Sequence, residues 1–305
     1  MDSAAAGDWI REHLQPAGPV ETFRERPWST VLRVPLSEGS SWFKACAPVQ
    51  AFEPELTAQL FARWPDRVPE VLAHDAKRAW LLLADAGRPV SERGFDAWVQ
   101  AMARALPPYA ELQRGEAAHA RDHLAHGVPD LRVATWPAQY EQLLRRDLPL
   151  TGDETARLAR FAPRFAELCE QLAGYGVPET IQHDDLHTRS LYLRGGRLRV
   201  LDWGDASVSH PFVSLVVTFR FLEEAGGLRP GGRWHARLRD AYLEPWGPGL
   251  AGAFGLAIRA GAFAHAFAWA RQRDALLPRA RPGFDSWFAV ILRRAIVQIT
   301  NLPQR

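Results

Sequence analysis

The chain has 305 residues, enough for one large domain or two modest ones around a shared core. Hydrophobic residues make up 47% of it and the formal net charge is +2. These are the proportions of an ordinary soluble globular protein, with too little positive charge to make nucleic acid the default partner. The two cysteines, Cys46 and Cys169, exclude a disulfide framework and a cysteine metal cluster, and they are expected as free thiols in a reducing compartment.

Met1 to Ile10 has neither a basic stretch nor an apolar one, so no signal peptide is expected there. The most apolar late stretch, Leu256 to Ala270, is interrupted by Arg259 and His265 and is too short to span a bilayer. The expectation is a cytoplasmic protein, monomeric or homodimeric, with no membrane or nucleic-acid partner.

Residues 4 to 15 read as a short helix ending near Pro16. Three strands follow, Val20 to Arg26, Thr30 to Leu36 and Ser41 to Ala47. The last two are joined by the turn Ser37-Glu38-Gly39-Ser40. Glu55 to Trp64 carries apolar residues at helical spacing, with Pro54 suited to the first turn. Val68 to Ala73 and Ala79 to Ala84 complete a small, mostly antiparallel sheet. From Phe95 onward the pattern is helical, over 95–106, 108–126, 137–147 and 153–174. Ser190 to Arg194 and Arg197 to Leu201 flank Gly195-Gly196, a two-residue hairpin loop. Helices resume at about 212–225, 232–243, 249–276 and 282–300. The layout is a sheet lobe over residues 1–88 and a helical lobe over 89–305, an α+β architecture.

Of the 37 basic residues only Lys44 and Lys77 are lysine. In a chain that otherwise uses arginine, a lysine inside the apolar strand Ser41–Ala47 points to a chemical requirement. Lys77 sits in a polar turn, His74 to Arg78, and carries no such implication.

The densest chemistry lies between Ile181 and Ser190. His183, Asp184, Asp185, His187 and Arg189 put five titratable side chains in ten residues, directly before the hairpin. The second hairpin strand runs into Asp202-Trp203-Gly204-Asp205. A tight hairpin brings its two ends together, so the two acidic stretches must face each other. Carboxylates that close repel unless a cation or proton shares the site. Hard oxygen donors favour Mg²⁺, which takes its remaining ligands from water and substrate phosphates.

His183-x-Asp185-x-x-x-x-Ser190, followed seventeen residues after Asp185 by Asp202, resembles the catalytic and metal loops of aminoglycoside phosphotransferases and related kinase-fold small-molecule phosphotransferases. Their pattern is H-G-D-x-x-x-x-N, a short hairpin, then I-D-W or D-F-G. The resemblance implies a protein-kinase-like two-lobe fold that uses ATP or GTP with Mg²⁺. Asp185 is then the catalytic residue that accepts or orients the hydroxyl proton of a small-molecule acceptor. Asp202 and Ser190 hold the metal. Lys44 contacts the α- and β-phosphates, with Glu55 as its ion-pair partner and Glu53 as a rival for that place. Ser29 and Thr30 belong to the turn that covers the phosphates, and Ala84 and Ala86 to the hinge that meets the adenine.

Ser190 departs from the family, which usually has asparagine there. A shorter, weaker ligand opens the alternative of a nucleotide-binding pseudokinase or scaffold. His183 is expected to orient the loop, Asp184 and His187 to stabilise it, and Asp205 either to touch a second metal or to cap the next turn. A metal-dependent hydrolase with His183, Asp184 and His187 as ligands is a competing reading. From Ala206 to Arg305, 13 arginines face six acidic residues, an excess of seven positive charges. That tilts the acceptor toward a neutral or anionic compound and away from a polycationic one.

Overall fold

The computed structural model describes residues 2–92 and 96–300, with only the backbone for 96, 299 and 300. Helix α1, Ser3–His13, is capped by Asp2, whose carboxylate accepts from the Ala4 and Ala5 amides. Strands β1 (Glu21–Arg26), β2 (Ser29–Pro35) and β3 (Ser40–Cys46) follow. Then come α2 (Glu53–Arg63), β4 (Val71–Asp75) and β5 (Trp80–Leu83). The five strands form one antiparallel sheet in the order β1-β2-β3-β5-β4.

The period of two along β3 decides what this sheet does. Phe43 and Ala45 turn to one face and pack with Trp9, Ile10, Leu32, Val34, Trp80 and Leu82 beneath α1. Trp9, Phe43 and Trp80 meet edge to face at centroid separations of 5.6–5.8 Å. Lys44, between them, therefore points to the opposite face, where α2 lies.

The pattern 53, 56, 57, 60 sets the buried stripe of α2: Glu53, Leu56, Thr57 and Leu60 are buried, and Pro54 occupies the first turn. The strand read at Val68 starts later, at Val71. The Val68 amide still bonds back to Trp64 O, closing the end of α2, and Pro69 follows.

Beyond the sheet come β6 (Arg88–Pro89), α3 (Asp96–Glu116), α4 (Ala120–Ala125), β7 (Asp130–Leu131), α5 (Trp136–Leu144) and α6 (Gly152–Ala173). The expected helix start at Phe95 lies outside the described residues. Helix α3 does not break at Pro107-Pro108 as the sequence implied. Interior proline costs about 3 kcal/mol or more. Here Met102, Leu106, Tyr109, Leu112 and Gln113 are all buried on either side of the pair, and that packing holds the helix through it. Helix α6 opens on a capping box between Thr151 and Glu154.

Strands β8 (Thr180–Gln182), β9 (Leu191–Arg194), β10 (Arg197–Val200) and β11 (Ser207–Ser209) surround the acidic loops. The β9–β10 hairpin turns on Gly195 and Gly196 at φ +57° and +81°, the left-handed conformations a two-residue loop needs. Strand β6 adds to β9, and β11 pairs antiparallel with β8 and parallel with β7. Helices α7 (Ser214–Glu224), α8 (Arg233–Leu243), α9 (Ala251–Ala275) and α10 (Arg281–Thr300) complete the body. By length and composition α9 could cross a membrane, but 67% of its most apolar window is buried inside the helical core, around Phe254, Phe263 and Phe267.

Candidate active site

The site is assembled from β3, α2 and the two acidic loops. Lys44 Nζ lies 2.6 Å from Glu53 Oε2 and 2.5 Å from Asp202 Oδ1. The lysine and Glu53 are buried, whereas the side chain of Asp202 is 56% exposed. Burial acts to lower the Lys44 pKa, but the attraction of Asp202 and then Glu53 outweighs it, and the ammonium is held well above its ordinary value. The same Lys44 charge holds Asp202 below the usual carboxylate range.

The partner of Lys44 is Glu53, not Glu55. Glu55 stands two residues on, about 200° around the helix, and turns away from the buried stripe. It accepts from Gln59 at 2.8 Å and meets His74 at 3.2 Å. Cys46, two residues after Lys44 on the same face of β3, places its thiol 3.3 Å from Glu53 Oε2, and burial pushes that thiol up.

Asp202 adopts φ +66°, ψ +61°, a left-handed conformation rare for a residue with a side chain. It follows the hairpin directly and precedes the short turn Trp203–Asp205. Gly204 is fixed by close approach: a Cβ there would lie 2.7 Å from both Gln50 Cδ and Glu53 Oε2. The backbone of the 202–205 loop thus packs directly on Gln50 and on Glu53, the partner of Lys44.

Asp205 Oδ1 accepts from Gln50 Nε2 at 2.9 Å and from Gln272 of α9. Burial, and then the negative charges of Asp185, Asp202 and Asp184, push its carboxyl up to about 8. Burial is the larger cause, and the neighbouring carboxylates add to it.

In the 183–190 loop the His183 ring binds backbone on both sides. Its Nε2–H donates to Leu201 O at 2.9 Å and its Nδ1 accepts from the Asp185 amide at 3.1 Å. This tautomer ties the two ends of the hairpin together, and burial keeps the ring neutral by lowering its pKa. Asp185 remains partly exposed, with His187 Nε2 3.3 Å from its Oδ1. Asp184 is buried and accepts from His265 Nδ1 at 2.8 Å. With His183 and Asp184 committed to these partners, the arrangement the hydrolase reading requires is not formed.

Ser190, expected as a metal ligand, uses its hydroxyl within the loop. Oγ lies 2.9 Å from both Asp185 O and His187 O and accepts from the His187 amide at 3.0 Å. Ser29 and Thr30 sit at the start of β2 opposite Cys46 and Ala45, two and one register positions from Lys44. Ala84 bonds to Glu70 O, and Ala86 is buried beside Asp85, whose carboxylate caps the Gly87 amide.

Among the described residues no three His, Cys, Asp or Glu side chains form a ready-made metal cluster. The donors fit a hard cation that needs few protein ligands. Asp202 gives one oxygen to Lys44, its side chain stays open to solvent, and the crowded Asp205 is nearby. Sequence reasoning missed Gln50, Gln272 and His265, which hold the acids from elements distant in the chain. The one signal available was a histidine interrupting the apolar run 256–270.

A small antiparallel sheet that delivers a lysine–glutamate pair to the acidic loops of a helical body defines the class of kinase-like phosphotransferases. The chain belongs to the phosphotransferase enzyme family (APH), whose sequence pattern it matches over residues 20–256. It is therefore a small-molecule phosphotransferase. Among solved structures it is similar to a choline/ethanolamine kinase family protein from Mesorhizobium loti (TM-score 0.67, 16% identity, covering 97% of this chain and 95% of that one). It is similar also to the choline kinase LicA from Streptococcus pneumoniae (TM-score 0.67, 13% identity, 98% and 99% covered). A third likeness is to a thermostable mutant of aminoglycoside phosphotransferase APH(4)-Ia in ternary complex with AMP-PNP and hygromycin B (TM-score 0.63, 13% identity, 98% and 100% covered). At these identities the likeness is one of fold. No curated protein matches the sequence.

Proposed function

We propose that the protein transfers the γ-phosphoryl group of ATP or GTP to a hydroxyl of a small molecule, with Mg²⁺ bound at Asp202 and Asp205. The observation that carries this reading is the buried Lys44–Glu53 pair of the sheet lobe joined to Asp202 of the helical body. AMP-PNP in the related ternary complex supports a nucleoside triphosphate as donor. Bound there, the cation supplies charge neutralisation for the nucleotide phosphates.

The chain's own residues do the rest. Lys44, held charged by Asp202 and Glu53, binds the α- and β-phosphates. Ser29 and Thr30 border the phosphates, and Ala84 and Ala86 border the base. Asp185, steadied by the His183 ring through its amide and by His187 through its carboxylate, orients the acceptor hydroxyl and takes its proton. The acceptor oxygen forms the new P–O bond, the bond between the γ-phosphorus and the bridging oxygen breaks, and the nucleoside diphosphate leaves. Ser190 holds the loop's shape.

One observation favours a second reading. With the Ser190 hydroxyl committed to Asp185 O and His187 O, one family metal ligand is missing. A nucleotide-binding scaffold with impaired transfer follows from that. The excess of arginine after residue 206 favours a neutral or anionic acceptor, such as a sugar, a nucleoside-type antibiotic or another hydroxylated metabolite. Thermal shifts with ATP, GTP and Mg²⁺, followed by an acceptor screen read by mass, test the proposal. A compound gaining one phosphate supports transfer, and nucleotide binding with no phosphorylated acceptor supports the scaffold.

A further inference from the structure

Beside the catalytic loop the helical body holds a cavity of about 210 Å³ between α7, α9 and α10, with Phe219, Ile258 and Ile291 in its apolar wall. Its charged lining is Arg220, Glu223 and Arg294. Arg294 bonds to Glu224 and lies 4.0 Å from Glu223, so its charge is taken up by those two carboxylates. Arg220 is different. Among the described residues it makes no ion pair, and its hydrogen bond runs from Nη1 to His265 Nε2 at 3.0 Å.

A guanidinium can only donate, so His265 Nε2 accepts and the proton sits on Nδ1, which donates to Asp184 Oδ2 at 2.8 Å. The ring therefore stands between the Arg220 cation and the buried Asp184 carboxylate. Burial lowers the Arg220 pKa, against the opposing pull of Glu224, Asp185 and Asp184. A half-buried cation with no carboxylate at ion-pair distance among the described residues is incompletely compensated, and an anion in the cavity would relieve it.

We propose that this cavity receives the acceptor and that Arg220 binds an anionic group on it, a carboxylate or a phosphate monoester, leaving the acceptor hydroxyl to Asp185. The proposal rests on the phosphotransferase reading. Arg220 reaches the loop through His265 and Asp184, and its neighbour Phe221 packs on His187, which lies 3.3 Å from Asp185, so an anion seated on Arg220 would lie on the Asp185 side of the loop. The planar fork of arginine suits two-oxygen anions. The volume is below the roughly 300–1,000 Å³ of sites for drug-sized ligands, so the acceptor is small or enters by one arm.

The test compares matched probes by binding and by mass gain: 3-phenyllactate against its primary amide, and glycerol 3-phosphate against glycerol. Each is run with Mg-ATP on the wild type, Arg220→Gln and Arg220→Lys. The wild type is expected to prefer the charged member of one pair by about tenfold or more. Which pair responds distinguishes carboxylate from phosphate. Arg220→Gln is expected to erase the preference and Arg220→Lys to restore part of it. Thermal stabilisation of each variant by Mg-ATP verifies folding and an intact nucleotide site. A wild type that binds nucleotide yet prefers the charged member of neither pair overturns the anion site alone, as does a folded Arg220→Gln that keeps the preference. A wild type that does not bind nucleotide overturns the phosphotransferase reading itself.

Discussion

Lys44 Nζ stands 2.5 Å from Asp202 Oδ1, although 158 residues separate them in the chain. Strand β3 brings the lysine from the sheet and the hairpin brings the aspartate from the helical body. Glu53 closes the group from α2.

Replacing Glu53 is expected to matter far more than replacing Glu55. Glu53→Gln removes the charge that positions Lys44 and should lower kcat/KM about 100-fold. Glu55→Gln should stay within about twofold, because its contacts are with Gln59 and His74 near the surface. Lys44→Met leaves Glu53 buried without its cation and should destabilise the fold by about 3–5 kcal/mol. Steady-state kinetics and urea unfolding of the three variants measure this.

Gly204→Ala tests the seat of the metal loop. The added methyl meets Gln50 and Glu53 at 2.7 Å, and Glu53 is tied to Lys44. Displacing that contact should cost about 1–3 kcal/mol and impair nucleotide binding together with stability. Unchanged melting and unchanged Mg-ATP affinity would remove the close approach as a constraint.

Ser190→Asn restores the residue common in the resembling family. If metal affinity limits the site, the variant should reach half-maximal transfer at about tenfold lower Mg²⁺. Ser190→Ala separates the loop contribution, since it removes the hydroxyl from Asp185 O and His187 O without supplying a ligand. An unaltered Mg²⁺ requirement in Ser190→Asn would show that Asp202 and Asp205 suffice.

Acid sensitivity is expected from a buried cluster away from the site. Glu116 accepts from Arg63 at 2.6 and 2.7 Å, from Trp64 at 2.6 Å and from His123 at 2.8 Å. Burial alone would raise its pKa, but hydrogen bonds from His123, Arg63 and Trp64 bring it down to about 2. The folded state thus holds fewer protons on this group than the unfolded chain between about pH 4.5 and 2. Its stabilisation, of order 3 kcal/mol, is present in full above that window and lost as pH falls through it. Unfolding free energy should fall more steeply with acid in the wild type than in Glu116→Gln, which is less stable at neutral pH.

Much of this was legible in the chain because it was local. Gly195-Gly196 fixed the hairpin, the hairpin brought the 183–190 and 202–205 stretches together, and the avoidance of lysine marked Lys44. The choice between Glu53 and Glu55 was also local: only position 53 shares a helical face with Leu56, Thr57 and Leu60. What the sequence could not disclose was tertiary. The three-residue strands β8 and β11 have no periodicity to detect, and they exist because each completes the other's ladder. The bonds from Gln50 and Gln272 to Asp205, and from Arg220 through His265 to Asp184, join segments up to 155 residues apart. Helix α3 passes Pro107-Pro108 because burial on both sides outweighs the local penalty.

The central claim is that Asp185 acts on the acceptor hydroxyl while Lys44 and Asp202 hold the nucleotide. Wild type and Asp185→Asn, incubated with Mg-ATP and a pool of hydroxylated small molecules and followed by mass spectrometry, address it most directly. A single-phosphate gain on one acceptor is expected with the wild type, a loss of about 100-fold or more in Asp185→Asn, and equal thermal stabilisation of both by Mg-ATP. Phosphorylation by Asp185→Asn at a rate near that of the wild type would contradict it.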